Sequence, residues 1–435
     1  MFDVYLSLVL QLVFLIWGAK TIYFYAIEHG YFNFVILTRL LFLIMYVMSG
    51  FCHLFFLDDN RGFFDSYYHA LIFPSDFFNL YATFLLFIFY FILIHVQIKL
   101  KKTKFNYDLI PHFQSQNIFR YGCFLLAIGI VASLSLSNLI DTSVIERGRE
   151  LPKGAAKFIF ISTWFGWGVT FLALGLVKRY RESDLICTIL FYISVISITL
   201  NVMWMGGRSA VVLLSLPLFF VYIFWKRNLF KKLVVTLLLP FFIYVSYISD
   251  VRKTGYDVNE TPINQVIDWE FGRFSMLPYS FTYVERSGLL YGSTYFDAIV
   301  KTVASPIYFL GLGADFVGDS TGSTIFEVGQ DLFYLDDVTY IVPGAIPEAY
   351  MNFGLLGVAL IAILFGFASK FIDLLMIKNI DRPFNFVFFA YLGSILCFNF
   401  LNTTLFAFLN YMIFTGAPLT IAFIFVYFKR MNIKF

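Results

Sequence analysis

Residues 77–96 read FFNLYATFLLFIFYFILIHV, twenty positions without one Asp, Glu, Lys or Arg. A helix rises about 1.5 Å per residue, so such a run spans about 30 Å, the thickness of the hydrocarbon core of a bilayer. It ends in KLKKTK at 99–104, a basic cluster of the kind retained on the cytoplasmic side. Apolar runs of comparable length recur on both sides of it, at 4–27, 33–57, 119–140, 157–177, 185–205, 209–225, 233–249, 348–369, 384–403 and 406–428. The pattern predicts eleven spans, or twelve if a further one lies near 299–313 or 332–346.

Composition agrees. Of 435 residues, 60% are hydrophobic and 14% are charged, against about 25% charged in soluble proteins. Mean hydropathy is +0.79. A water-exposed fold cannot hide that much apolar surface. A soluble enzyme, a nucleic-acid binder and a disordered chain are therefore excluded, and the expected class is an all-α polytopic integral membrane protein. The first run is expected to be a retained span, because Met1-Phe2-Asp3 lacks a positive leader. Lys20 and Arg39 sit inside the first two runs, near the turn Glu28-His29-Gly30, and are expected to snorkel to its side. The stretch 299–313 is apolar but short and interrupted by Pro306, as a re-entrant or interfacial segment would be. Cys52, Cys123, Cys187 and Cys397 lie in or beside apolar runs and form no CxxC spacing.

Charge sets the orientation. KLKKTK at 99–104, KRYR at 178–181, KRNLFKK at 226–232 and the basic C-terminus belong in the cytoplasm by the positive-inside rule. Loops 58–76, 141–156, 206–208 and 250–347 then face outward, with an outer N-terminus. Together with Glu348 they hold 21 of the 28 acidic residues but only 10 of the 31 basic ones. The chain divides into spans 1–8 over 1–249, a large periplasmic loop over 250–347 that is expected to be partly helical and lid-like, and spans 9–11 over 348–435. A loop that long usually has a purpose.

Phosphate-loop, dinucleotide and zinc-helix motifs are absent from the sequence, as is an Asp-x-Asp pair, so neither a cofactor nor a metal is expected. The five histidines all lie outside 250–347. The outer side does carry arginine. Gly206-Gly207-Arg208-Ser209 makes a tight turn that opens the next helix, where free N–H groups already favour an anion. Arg252 follows the eighth span, Arg273 and Arg286 come from the large loop, and Arg147 and Arg149 come from loop 141–156. The planar fork of arginine suits phosphate, although each residue could equally anchor its span or pair with a nearby acid. In Pro347-Glu348-Ala349-Tyr350-Met351-Asn352, proline and the carboxylate suit a helix start. Glu348 there could act as a base, hold an arginine or simply stabilise the helix. Tyr295 and the other loop aromatics suit sugar rings, or an interfacial belt.

GGRSA at 206–210, Arg252, YGSTYFDAI at 291–299 and PEAYMNFGLLG at 347–357 together resemble bacterial O-antigen or oligosaccharide repeat-unit polymerases of the Wzy type. The motifs cover about 150 residues, and the layout of many spans with one large loop extends the likeness to the whole chain. The resemblance implies an inner-membrane glycosyltransferase. It would move a growing glycan from undecaprenyl diphosphate to the terminal sugar of a fresh lipid-linked repeat unit, without metal or nucleotide. It further implies a chain-length regulator as partner. On that reading Arg208 and Arg252 stabilise the diphosphate and Glu348 serves the acceptor hydroxyl. Arg273, Arg286, Tyr295, Tyr350 and Asn352 bind substrate. The odd span count departs from the even number expected of the family.

Two rival readings remain at the level of sequence. O-antigen ligases share the layout but rely on a loop histidine, which 250–347 lacks. A lipid-linked oligosaccharide flippase would usually show internal repeats and paired broken helices, and neither is visible in the sequence. The map itself is testable by single-cysteine labelling with an impermeant reagent in intact cells. Thr261 should label, while Lys101 and Lys231 should not; the opposite pattern at 231 and 261 would overturn the orientation.

Overall fold

The structure, a computed structural model, describes residues 2–29, 33–57, 74–99, 115–139, 158, 161–179, 184–204, 214–220, 272–309, 328, 331–332 and 343–431. Among the described residues every regular element is helical and there is no strand. The helices are α1 (Phe2–His29), α2 (Phe34–Phe55), α3 (Asp76–Lys99), α4 (Ser115–Leu139), α5 (Trp164–Arg179), α6 (Asp184–Trp204), α7 (Met276–Ser287), α8 (Ser293–Phe309), α9 (Ala345–Lys378), α10 (Pro383–Ser394), α11 (Leu405–Asn410) and α12 (Ala417–Met431). Five helices among the described residues are long and apolar enough to cross a membrane: α1, α2, α3, α4 (over Asn117–Leu136) and α9. A sixth counts if Leu405–Thr415 and Ala417–Ile424, bent by 62°, form one span. Apolar helices at Trp164–Leu176, Ile189–Ile198 and Pro383–Phe398 are shorter. Most of the expected span 209–225 and all of 233–249 lie outside the described residues.

The chain forms two compact units. The first comprises Met1–Thr103, Thr261–Asp373 and Leu396–Leu409; the second comprises Lys104–Glu260, Leu374–Ile395 and Asn410–Phe435.

In the first unit α1 leaves Val9, Leu12, Ile16, Tyr23 and Ile27 exposed. That surface would be costly in water and is suited to lipid. Its inner side packs aromatic rings, with Phe14 buried against Phe87 at 4.2 Å and Trp17 stacked on Phe87 at 5.4 Å. Helix α2 starts at Asn33, whose side chain accepts the Ile36 N–H at 2.9 Å, the usual N-cap bond. It contains a π-helical turn, Leu43–Met48.

Two expectations change here. Arg39 does not snorkel: it is 1% exposed and donates to Gln97 across the interior, because α3 supplies a buried acceptor that is closer than solvent. Nor does Pro306 break the chain. Helix α8 runs through it to Phe309, with the proline in its last turn, where the loss of one main-chain hydrogen bond costs least.

In the second unit α4 and α5 meet backbone to backbone. A Cβ on Gly129 would lie 2.4 Å from the Phe165 nitrogen, and one on Gly168 would lie 2.5 Å from the Leu126 nitrogen. Small residues at such a crossing are the usual device for helix association in lipid. A π-helical turn at Tyr411–Thr415 precedes the bend at Gly416. Its carbonyls are taken up by side-chain donors: Trp167 Nε1 to Thr415 O at 2.6 Å, Trp164 Nε1 to Phe414 O at 3.3 Å, and the Tyr391 hydroxyl to Tyr411 O at 2.8 Å.

Helix α9 begins three residues before the expected span and is broken at Gly354, where φ is 60° and ψ is −143°. Only glycine holds such angles cheaply. A Cβ on Gly357 would lie 2.2 Å from the carbonyl oxygen of Ala349, so both glycines of FGLLG are needed for the break. Gly354→Ala should lower stability by about 1–3 kcal/mol, and Gly357→Ala should destabilise by at least as much. Thermal melts of the purified protein that match wild type would contradict this account of the break.

Candidate functional site

The short segment before the break is buried over Ala345–Asn352 apart from a half-buried Tyr350, with Glu348 and Asn352 at 0% exposure. A break in a helix separates the N–H groups of one turn from the carbonyls of the previous turn, and those carbonyls need other donors. The turn between α7 and α8 provides them. Leu290 N–H donates to Met351 O at 2.9 Å, and Tyr291 N–H donates to Asn352 O at 3.1 Å. Gly288 and Gly292 have φ of 83° and 90°, and Tyr291 has the rarer non-glycine value of 49°. The cost of that conformation is offset by the bonds it makes possible.

Asn352 locks the junction from the side-chain direction. Its Oδ1 accepts Gly292 N–H at 3.0 Å, and its Nδ2 donates to Thr294 Oγ1 and to the Glu348 carbonyl, both at 2.7 Å. Both amide protons are thereby spent inside the protein. Asn352 positions the site, and the geometry leaves it no proton for a substrate.

Glu348 uses its two oxygens differently. Oε2 accepts the Leu405 N–H, the first residue of α11, at 3.0 Å. Oε1 is buried without a hydrogen bond of good geometry, while the Thr294 hydroxyl faces the carboxylate and interacts with it. The phenol of Tyr295, one residue further on, is also buried without a partner. Burial, reinforced by the Glu348 carboxylate beside it, pushes the Tyr295 phenol well above its ordinary pKa, so it remains a neutral donor. Ser293 Oγ is a third buried polar atom without a partner on the same turn.

Arg273 comes to the same turn from another direction. Its Nε donates to Asn402 O at 2.7 Å, and its main-chain N–H donates to Met45 O, in the π-helical turn of α2, at 2.8 Å. The Tyr46 hydroxyl donates to Leu401 O at 2.9 Å. Arg273, Tyr46 and Glu348 therefore all grip Leu401–Leu405, the turn before α11. π-Helical turns collect at functional sites for this reason: they free carbonyls for other donors.

Of the residues singled out from sequence, the structure brings together Glu348, Tyr295 and Asn352, with Arg273 on the shared turn. Tyr350 packs instead into an aromatic cluster, 4.5 Å from Phe281 and 6.3 Å from Tyr81. Arg286 is exposed in the last turn of α7. Arg208 and Arg252, together with Arg147 and Arg149, lie outside the described residues. Thr294 and Asn402, whose Oδ1 is buried without a partner, were not singled out. Thr294 lies inside YGSTYFDAI and could have been suspected; no local signal marks Asn402.

Asn352→Ala would strand several buried groups at once, each worth about 1–3 kcal/mol when left unsatisfied. The expected result is a loss of about that size or more in unfolding free energy, with faster proteolysis in the 288–292 turn. An Asn352→Ala protein with wild-type melting and wild-type cleavage would show that the junction does not hold the turn.

No protein-family model, curated protein or solved structure matches this chain, so the reading of the site rests on its own residues.

Proposed function

We propose that this membrane protein is a glycan polymerase. It transfers a growing oligosaccharide from undecaprenyl diphosphate to the terminal sugar of an incoming lipid-linked repeat unit at the periplasmic face of the inner membrane, over about eleven or twelve spans. The observation that carries the reading is the unmatched half of Glu348. One oxygen is spent on the fold, while the other is buried near Tyr295 and Thr294, polar groups suited to a sugar hydroxyl.

In the proposed step the acceptor hydroxyl oxygen bonds to the anomeric carbon of the donor glycan. The bond from that carbon to the lipid diphosphate breaks, and the diphosphate leaves with the electron pair. Glu348 Oε1 takes the hydroxyl proton, a task for a carboxylate within hydrogen-bond reach. Arg208 and Arg252 meet the developing charge on the diphosphate, with Arg273 and Arg286 in support. Energy comes from the glycosyl diphosphate, so neither nucleotide nor metal is invoked. A chain-length regulator would act as partner.

The base and organiser roles of Glu348 need not compete, because they fall on different oxygens. A flippase is the second reading; the bent pair before and after Gly416 and the break of α9 at Gly354 are the features that favour it.

Purified protein supplied with lipid-linked repeat units separates the readings. Wild type should lengthen glycan in detergent, where a flippase would produce nothing. Glu348→Gln keeps an acceptor for Leu405 N–H but cannot take a proton, and should lose on the order of 10²–10⁴ in rate. Arg208→Ala and Arg252→Ala should abolish polymer, with Lys at either site restoring it only in part. Near-normal polymer from folded Glu348→Gln would end the base role, and absence of polymer from wild type would end the polymerase reading.

A further inference from the structure

We propose that the first unit carries a second ligand site, for a phosphate-class anion, built from Arg39, Lys370 and Tyr25 at the far end of α9 from Glu348. The proposal is independent of the polymerase reading.

Arg39 and Lys370 are each 1% exposed. Buried cations in a membrane protein are costly and are usually paired or functional. Their available partners are few. Arg39 Nε donates to Gln97 Oε1 at 2.8 Å, and Nη1 donates to Thr21 O at 3.3 Å. The guanidinium lies 4.6 Å from the centre of the Tyr25 ring, and Lys370 Nζ donates to the Tyr25 hydroxyl at 3.1 Å. Gln97 is itself oriented by Ser369, to which its amide donates at 3.0 Å. One carboxylate, Asp373, is buried nearby: its Oδ1 accepts the Phe34 N–H at 2.9 Å, at the start of α2, its Oδ2 is buried without a hydrogen bond, and its charge acts on Lys370. Glu28 also acts on Lys370, but it is exposed and screened by solvent.

The residue left over is Arg39: its Nη2 is buried with no partner. A purely structural ion pair would spend that nitrogen on a carboxylate. Here Asp373 forms no ion pair with either cation, and the two protons of Arg39 Nη2 are buried and unused. Together with the remaining protons of Lys370, that nitrogen suits an oxygen of a tetrahedral oxyanion. In the sequence KLKKTK follows Gln97 within two residues, and basic clusters attract anions. Lys370 lies about 24 Å along α9 from Gly354, toward the opposite end of the helix from Glu348. The phosphate oxygens could belong to an anionic lipid headgroup or to free phosphate.

The test uses the full chain in neutral detergent and follows thermal unfolding. One arm adds inorganic phosphate against chloride at equal ionic strength; the other adds short-chain phosphatidylglycerol against phosphatidylcholine. We expect the midpoint to rise in one arm, which identifies the source of the phosphate. Arg39→Gln and Lys370→Gln should need at least tenfold more probe for the same rise. Hydrogen exchange on wild type provides a readout that needs no variant, with the effective probe protecting peptides over 20–40 and 366–374. No rise in either arm, an undiminished rise in folded Arg39→Gln, or protection confined to other segments would each overturn the proposal.

Discussion

The break of α9 at Gly354 is the constraint on which the site depends. In lipid, a carbonyl without a donor costs several kcal/mol, so a helix can stop and restart only where other N–H groups stand ready. The turn at 288–292 meets that demand through Leu290 and Tyr291, and Asn352 binds the same turn through its side chain. The buried segment before the break then presents Glu348 to Leu405 and Tyr295. Without the break, Glu348 would be one more residue on the face of a straight span.

The two ends of α9 share a device. At the start, the Glu348 carboxylate is divided between a main-chain N–H and an open side. Near the end, Asp373 is divided in the same way, beside two cations that share the phenol ring of Tyr25. In both places a polar atom is left without a partner. Such groups are expensive to keep, and native interiors hold few of them. Their presence at both ends of the same helix, rather than scattered through its apolar middle, is what makes each a candidate site.

The second unit solves a similar problem without charge. The carbonyls freed by its π-helical turn and bend are met by Trp164, Trp167 and Tyr391, whose rings also fill the space around them. Aromatic residues with a polar edge serve both needs at once. The close crossing of α4 and α5 depends on glycines that remove side-chain bulk from the contact.

By itself the sequence determined that the chain is helical with segments able to cross a membrane, because runs such as 77–96 match the bilayer in length and carry no charge. It marked the start of α9 through Pro347 and Glu348, since these residues act on their own local backbone; the break at Gly354 was not expected from it. Hydropathy did not reveal which helices face one another. A charged residue inside an apolar run looks like a snorkelling anchor when read alone, and Arg39 proved buried because Gln97, 58 positions later, reaches it. The hold of Arg273 on Asn402 and the contact of Asn352 with Thr294 are separated by 129 and 58 positions. Only tertiary structure decided those, because a hydrogen bond depends on where two groups end up in space, whereas patterning along the chain reports only the face of one helix.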